Sequence, residues 1–265
     1  MLVLIRGAGD LATGIALRLY RAGMQVVMTD LPRPTAIRRT VAFSQAIVLG
    51  ETCVEDVTAR LSDISQVEDI LNRQEIPVLA DPACACRGIL RPDVLVDAIL
   101  AKRNLGTAMT DAPTVIGVGP GFTAGEDCHA VVETMRGHYL GRVIYHGSAI
   151  PNTNIPGLIG GYAGERVLRA PANGEFRQVL EIGAQVQAGD IAGWVGDAPM
   201  RCTIGGVLRG ILPTDVVVHK GMKAGDVDPR CELDHCFCAS DKALAVGGGV
   251  LEAILNLTGV LRHER

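Results

Sequence analysis

Aromatic residues make up only 3 % of this 265-residue chain, with a single Trp, so aromatic stacking is a minor recognition device here. Excess positive charge is also missing: a net charge of -4 and a pI near 5.9 argue against nucleic acid or an anionic membrane surface as the main partner. No basic segment stands ahead of the first apolar run, which begins at residue 2, so no secretory signal is expected and the cytoplasm is the expected location. Long apolar runs are interrupted as well. The stretch Ala243 to Leu261 carries Glu252, Asn256 and the triplet Gly247-Gly248-Gly249, which fits a buried helix better than a membrane span. The eight cysteines, without a secretory signal, indicate thiols or metal chemistry in a reducing compartment rather than a disulfide framework.

Glycine is abundant, at 32 residues, and the chain is long enough for one large domain or two modest ones. The stretch with most information is Arg6-Gly7-Ala8-Gly9-Asp10-Leu11-Ala12-Thr13-Gly14, directly behind Leu2-Val3-Leu4-Ile5. An apolar β-rich run, Gly-x-Gly-x-x-Ala, and then the rhythm Leu11, Ile15, Leu17, Leu19 spell strand, tight turn and helix, the opening of a nucleotide-binding βαβ unit. Gly7 and Gly9 let the backbone turn sharply and approach a ligand, and the helix start offers N–H groups and a positive dipole end to a phosphate. The expected ligand contacts are Gly7, Ala8, Gly9, Asp10, Leu11, Ala12 and Gly14. Asp30 ends a second strand, Gln25-Val26-Val27-Met28-Thr29-Asp30, near the spacing expected of a ribose-binding acid. The competing structural reading is that the glycines serve only helix-sheet packing.

Leu31 to Arg39 is a proline-marked turn in which Thr35 is placed to cap a helix. Arg33, Arg38 or Arg39 would hold the extra phosphate of NADP, whereas Asp30 would repel it; a solvated helix face is the alternative for each arginine. A helix near Val67 to Asn72, a strand Ile76 to Ala80, a helix Pro92 to Lys102 and a strand Thr114 to Val118 follow. This alternation implies a parallel sheet covered on both faces. The last strand runs into Gly119, Gly121 and Phe122, expected beside the Gly7 loop as a second ligand cradle. If Gly125 to Met135 is helical, His129 and Glu133 share a face as a metal pair, an acid-base pair or a structural hydrogen-bonded pair. Arg136 and His138 are the remaining catalytic candidates in this polar segment, whose spacing is not that of the His-Glu-x-x-His zinc motif. A strand Gly141 to His146 and the turn-rich passage Ser148 to Gly157 end the first domain.

From about Gly164 short strands separated by glycines replace the alternation. Ala170 to Phe176 with Val186 to Ile191, and Gly205 to Leu208 with Met222 to Val227, form two related halves whose Gly-Asp pairs lie 36 positions apart. The pattern resembles the barrel-sandwich of biotinyl and lipoyl carrier domains. It departs from them at Trp194 to Arg201, which has no lysine, so a clamp or docking surface is expected instead of a swinging arm. Farther on, Cys231, His235, Cys236 and Cys238 are candidate metal ligands, with merely reduced buried thiols as the alternative; Cys84-Ala85-Cys86 repeats the two-residue spacing. Gly247 to Gly249 then leads into a last helix, as a second anion site or as a close approach that packs this helix on the first domain.

The expected fold is therefore α/β: a Rossmann-like doubly wound parallel sheet over 1–150, a barrel-sandwich β domain over 165–230, and a cysteine-rich segment with a C-terminal helix over 231–265. Together Ile5 to Gly14, Pro32 to Phe43, Val96 to Lys102 and the Gly119 to Gly141 block resemble the YqeB-type proteins. Asn152-Thr153, Arg169-Ala170-Pro171 and Gly248 to Ala253 extend the resemblance through nearly the whole chain. It implies an accessory role in maturing selenium-dependent molybdenum hydroxylases, and it assigns nothing to Cys231 to Cys238. Three functions follow as expectations. The first is a maturation factor that holds a phosphate-bearing cofactor, a molybdopterin-type dinucleotide, and presents it to a molybdenum hydroxylase apoenzyme. The second is an NAD(P)-dependent oxidoreductase, and the third a non-enzymatic metal- or selenium-handling scaffold. No nucleophile-base pair of diagnostic spacing decides whether the chain is an enzyme.

Overall fold

In the computed structural model, which describes residues 1–153 and 155–261, the chain divides into two compact units. The first comprises Met1–Pro34, Ala42–Thr153 and Ala239–Arg265, and the second Thr35–Val41 and Asn154–Cys238. The segment expected over 231–265 is thus shared between the units at Cys238, and its residues 262–265 lie outside the described residues, as does Asn154 of the expected boundary passage.

The first unit is mixed α/β around a large, mostly parallel sheet. Its strands are β1 (Leu2–Arg6), β2 (Gln25–Thr29), β3 (Glu51–Val54), β4 (Val57–Ser62), β5 (Ile76–Leu79), β6 (Val94–Asp97), β7 (Thr114–Val118), β8 (Thr123–Ala124), β9 (Ala130–Val132), β10 (Val143–Ile144) and β11 (Gly147–Ser148). Nine of them form one sheet in the order β10-β9-β7-β6-β1-β2-β5-β4-β3, while β8 and β11 make a separate pair. Only the two edges, β3 on β4 and β10 on β9, are antiparallel. The inner strands β1, β5, β6 and β7 are buried or nearly so along their whole length, as expected of a parallel sheet whose polar backbone must be paired on both sides. Helices are few: α1 (Asp10–Arg21), α2 (Gln45–Leu49), α3 (Val67–Asn72), α4 (Arg87–Leu90) and α5 (Asp241–Thr258). Of these, α5 lies against α1 and against β7, β9 and β10.

Two expected helices are strands. Within Pro92 to Lys102, Val94–Asp97 pairs in parallel with both β1 and β7, and left-handed backbone at Leu100 (φ 61°) and Lys102 (φ 64°) excludes helix beyond it. A short apolar run reads equally as a buried strand or a helix segment, and the two free neighbours in the sheet decided. Within Gly125 to Met135, Ala130–Val132 pairs in parallel with Ile116–Val118. Thr35 caps no helix, since a 3-10 turn at Arg39–Val41 follows it, and the strand expected over Gly141 to His146 shrinks to β10.

The second unit is all β. Its strands are β12 (Val167–Arg169), β13 (Gly174–Gln178), β14 (Gln185–Val186), β15 (Ile191–Val195), β16 (Ala198–Arg201), β17 (Gly206–Ile211), β18 (Val216–Val218) and β19 (Lys223–Asp228). They form two four-stranded antiparallel sheets, β12-β19-β17-β14 and β16-β15-β13-β18. The order β15-β13-β18 in one sheet matches β19-β17-β14 in the other, so each half of the repeat lends one short strand to its counterpart. The core between them holds Leu168, Phe176, Leu208, Ile211, Leu212 and Val227.

A buried ion network runs through this unit. Asp226 accepts from Arg166 and from Arg209 (Nε 2.9 Å), and Asp228 accepts from Arg209 (Nη1 3.0 Å) and Arg230 (Nη2 2.6 Å). Burial alone would raise the Asp228 pKa, but the side-chain and backbone donors of Arg230 and the Arg209 charge outweigh it and hold the carboxyl down at about 2. The folded value lies below the unfolded value of about 3.9, so this stabilisation is complete above about pH 4 and disappears as pH falls through about 2. Its size is roughly 2 kcal/mol. Trp194 on β15, the single Trp of the chain, should therefore report loosening of this unit between about pH 4 and pH 2 in an acid fluorescence titration. A flat response over that interval would contradict the assignment.

Candidate functional site: the N-terminal glycine turn

The strand order reverses direction at β1: β2 lies on one side of it and β6 on the other. Beyond the carboxyl ends of such strands open α/β sheets form their binding crevice. Here the loops that meet are Gly7–Gly9 after β1 and Ala98–Thr107 after β6.

The turn is braced on three sides. Gly7, at φ 107°, donates its N–H to Thr29 O (2.8 Å), and Ala8 N donates to Asp30 Oδ2 (2.7 Å). Ser44 N donates to Ala8 O (2.9 Å), and Phe43 N donates to Thr13 Oγ1 (2.8 Å), which locks Phe43-Ser44 against the start of α1. Asp30 also takes Leu31 N (2.7 Å) on its other oxygen. The expected ribose acid therefore serves as the clamp of the turn. Burial raises its pKa, opposed by the N–H groups of Leu31 and Ala8. No side chain caps α1 at Gly9, while Asp10 takes the N–H of Leu11 (2.8 Å). Leu11 and Ala12 are buried on the inner side of the helix, and Arg33 stands exposed after the turn.

The glycines divide into two kinds. A Cβ on Gly7 would lie 2.9 Å from Ala98 O, one on Gly121 would lie 2.6 Å from the Arg103 backbone, and one on Gly119 would lie 2.8 Å from Thr134 Oγ1. The loop after β6 thus fills the space that the cradle reading assigned to a ligand at Gly7 and Gly121, Thr134 fills it at Gly119, and Phe122 is a core residue packed over Gly117. Gly14 is also spent on packing, against Ala243 of α5. Gly9 differs: its backbone (φ -70°, ψ -176°) suits any residue, and a Cβ there would meet nothing within 4 Å.

Polar groups missed by the sequence reading surround this turn. The Arg6 guanidinium donates to Thr107 Oγ1 (2.9 Å), Asp97 Oδ2 (3.3 Å), Leu105 O (3.2 Å) and Pro82 O (3.4 Å), while Thr107 donates to Asp97 (2.6 Å). Asn104 holds this loop by accepting from Gly106 N and Thr107 N and donating to Asp127. Three buried atoms here, Arg6 Nε, Thr29 Oγ1 and Ser44 Oγ, make no hydrogen bond among the described residues. The signal that could have found Arg6 and Asp97 is their place as the charged last residues of two central strands.

The other sequence candidates do not assemble. His129 bonds the edge of β7, accepting from Val115 N at Nδ1 (2.9 Å) and donating its own N–H to Val115 O. Glu133 is 2 % exposed and takes three backbone N–H groups, of Thr134, Met135 and Ile150, so it braces the backbone and does not face His129 as a pair on a helix. Arg136 makes a bidentate pair with Asp241 at the start of α5 (2.7 and 2.8 Å), and His138 is exposed, edge-on to Tyr139. In the second unit Cys231 is exposed, Cys236 is buried with its thiol toward Leu208 O, Cys238 is half-buried, and His235 Nδ1 lies 3.7 Å from Asp228. Among the described residues no group of three or more His, Cys, Asp or Glu is placed to hold a metal ion.

No protein-family model matches the chain. Among solved structures it aligns with an aspartoacylase family protein of Mesorhizobium loti at 8 % identity, over 85 % of this chain and 83 % of that one, with a TM-score of 0.27. It also aligns with a succinylglutamate desuccinylase/aspartoacylase of Rhodobacter sphaeroides at 21 % identity, over 24 % of this chain and 22 % of that one, with a TM-score of 0.22. Scores this low establish no shared fold. In sequence the chain is 52 % identical over 257 residues to YqeB of Escherichia coli (strain K12), itself described as uncharacterized. That alignment takes in 97 % of this chain and 48 % of YqeB, so the chain is similar to YqeB along nearly all of its own length and spans about half the length of that relative.

Proposed function

We propose that this chain is an accessory protein in the maturation of selenium-dependent molybdenum hydroxylases, holding a phosphate-bearing small molecule at the turn Gly7 to Gly14. In this reading the parallel sheet is of the Rossmann type, and the second unit is a barrel-sandwich clamp without a carrier lysine. The observation that carries it is Gly9. The fold tolerates a side chain there and the sequence places none, at a helix start beyond a central parallel strand, where anions are favoured. Arg6 Nε and Ser44 Oγ, which no group among the described residues satisfies, are the donors left for such a ligand. A molybdopterin-type dinucleotide or NAD(P) would supply its own reactive ring; the chain would supply the grip. The hydroxylase pathway rests on the resemblance of Ile5 to Gly14 and the companion strings to YqeB-type proteins.

Substituting Gly9→Val tests the reading, because it fills the open side of the turn at little cost to the fold. Calorimetric titration of the full chain with NAD+, NADP+ and a molybdopterin dinucleotide should show one of them binding. The substitution should weaken that binding by roughly tenfold or more, about 1.4 kcal/mol, with the melting temperature unchanged. Binding of NAD+ or NADP+ alone would transfer the site to an oxidoreductase. No heat with any of the three, and no retention of a molybdenum hydroxylase apoenzyme in a pull-down, would end the proposal.

A further inference from the structure

The loop Ala98–Thr107 has no regular secondary structure, and both of its ends are gathered on one carboxylate. Asp97, the last residue of β6 and 2 % exposed, accepts Ile99 N on Oδ1 (3.2 Å) and the Thr107 hydroxyl on Oδ2 (2.6 Å). Arg6 closes the same neck by donating to Asp97 Oδ2, Thr107 Oγ1 and Leu105 O. A loop whose ends meet in this way can turn as one body about its neck.

The body of the loop is held differently. Ala101, Lys102 and Arg103 are exposed, as are the apolar side chains of Ile99 and Leu105. Leu100 (φ 61°) and Lys102 (φ 64°) both stand in the left-handed region, which a residue with a side chain keeps only where its surroundings impose it. Two things impose it here. One is steric: the backbone of Ala98 and Ile99 lies over Gly7, and that of Lys102 and Arg103 lies over Gly121, where a Cβ would come within 2.6 Å of Arg103 Cα. The other is Asn104. Its Oδ1 accepts Gly106 N (2.9 Å) and Thr107 N (2.8 Å), while its Nδ2 donates to Thr107 O (2.8 Å) and across to Asp127 Oδ1 (3.1 Å). Asp127 is fixed in turn beyond β8, where its other oxygen accepts Thr123 N (2.8 Å). The bond from Asn104 to Asp127 therefore ties the body of the loop to the rest of the unit. Gly9 lies outside the covered ground, with nothing within 4 Å of a Cβ built on it.

We propose that Ala98–Gly106 is a lid that turns about the Asp97 neck, is latched by Asn104 on Asp127, and on lifting adds Gly7 and Gly121 to the binding site at the glycine turn. The proposal rests on the function read above for that turn and names the class of its ligand, a diphosphate. With the lid shut, Gly9 is the open part of the turn and serves a single phosphoryl group. Once the lid lifts, the bare backbone of Gly7 and Gly121, now covered by the loop, is free to meet a second phosphoryl group with no Cβ in the way. The latch then sets the cost of binding. While most molecules are shut, a diphosphate binds with its intrinsic affinity reduced by the fraction that is open, and weakening the latch removes that reduction.

The test uses the full-length chain with Asn104→Ala and with Asp127→Ala, which break the latch from its two sides, so that poor folding of one variant leaves the other. Limited trypsin digestion reads the lid without any ligand, through cleavage after Lys102, with cleavage after the exposed Arg73 as the internal reference. In both variants the Lys102 site should be cut roughly tenfold faster than in the parent, relative to Arg73. Calorimetric titration with inorganic pyrophosphate should show about tenfold tighter binding to either variant than to the parent, while inorganic phosphate, which needs Gly9 alone, should bind all three alike. No acceleration of cleavage in either variant would overturn the proposal, as would acceleration in Asn104→Ala alone, which marks a loop that loosens within itself. Faster cleavage with unchanged pyrophosphate affinity would overturn it too, because the loop would then move without gating the site. Failure of all three proteins to bind either anion would instead refute the function read for the glycine turn, and the cleavage rates would still decide whether the latch exists.

Discussion

Replacing Gly14 by Val should lower the melting temperature of the first unit by roughly 10 °C, a loss of about 3 kcal/mol at about 2–4 °C per kcal/mol. Gly14 lies in α1 where α5 crosses it. A Cβ there would lie 2.5 Å from Ala243 Cβ and 2.9 Å from Ala243 O. The approach is reciprocal, because a Cβ on Gly247 would lie 2.8 Å from Gly14 O. Gly14→Ala provides the finer measurement. On an isolated helix this change is worth about 1 kcal/mol of propensity in favour of alanine. The overlap with both the side chain and the backbone of Ala243 should reverse that sign, since a packed helix pair accommodates a misplaced methyl only by shifting. Gly14→Ala combined with Ala243→Gly should recover part of the loss. Far-UV circular dichroism melts read all three variants. A Gly14→Ala protein that melts at or above the parent temperature would show that the two helices separate freely, and a ligand role for Gly14 would return.

Asp226→Asn should be worse for the second unit. Asp226 is 1 % exposed and bonded to Arg166 and Arg209, two arginines that are themselves buried. Removing the carboxylate takes a counter-charge from two buried arginines, of which Arg209 keeps Asp228, and breaking such a network costs roughly 3–5 kcal/mol. In a unit of this size that corresponds to a fall of about 15 °C or more in the transition followed by Trp194 fluorescence. The isosteric amide keeps the volume, so the loss belongs to the charge and not to a cavity. A fall of only a few degrees would mean that water reaches the arginines, and the burial of the network would have to be reconsidered.

Much of the first unit was legible where local chemistry and position agree. Leu2 to Ile5 followed by the glycine turn and the Leu11 rhythm gave β1, the turn and α1; Val67 to Asn72 is a helix, and Thr114 to Val118 a strand. Val94 to Asp97 and Ala130 to Val132 misled because short apolar runs carry no period long enough to distinguish strand from helix. The 36-residue echo in the second half was legible as a duplication, but not which short strand would be exchanged between the sheets. The polar cluster was the least legible part. Arg6, Asp97 and Thr107 stand far apart in the chain and become neighbours only when β1 and β6 pair, whereas His129, Glu133 and Arg136 stand close together and serve separate structural contacts.

What the sequence determined by itself was local: a glycine turn between a buried strand and a helix, a change of texture near Gly164, and a likeness to YqeB-type proteins written in contiguous strings. What only the tertiary structure decided was which glycines face the protein and which face open space, since that depends on the backbone of Ala98 to Arg103 and of Ala243 arriving from elsewhere in the chain. It also decided that Cys84 and Cys86 turn inward into the core of the first unit. The reason is the same in both cases. A residue's conformation is set by its neighbours along the chain, but its chemistry is set by the groups that folding brings against it.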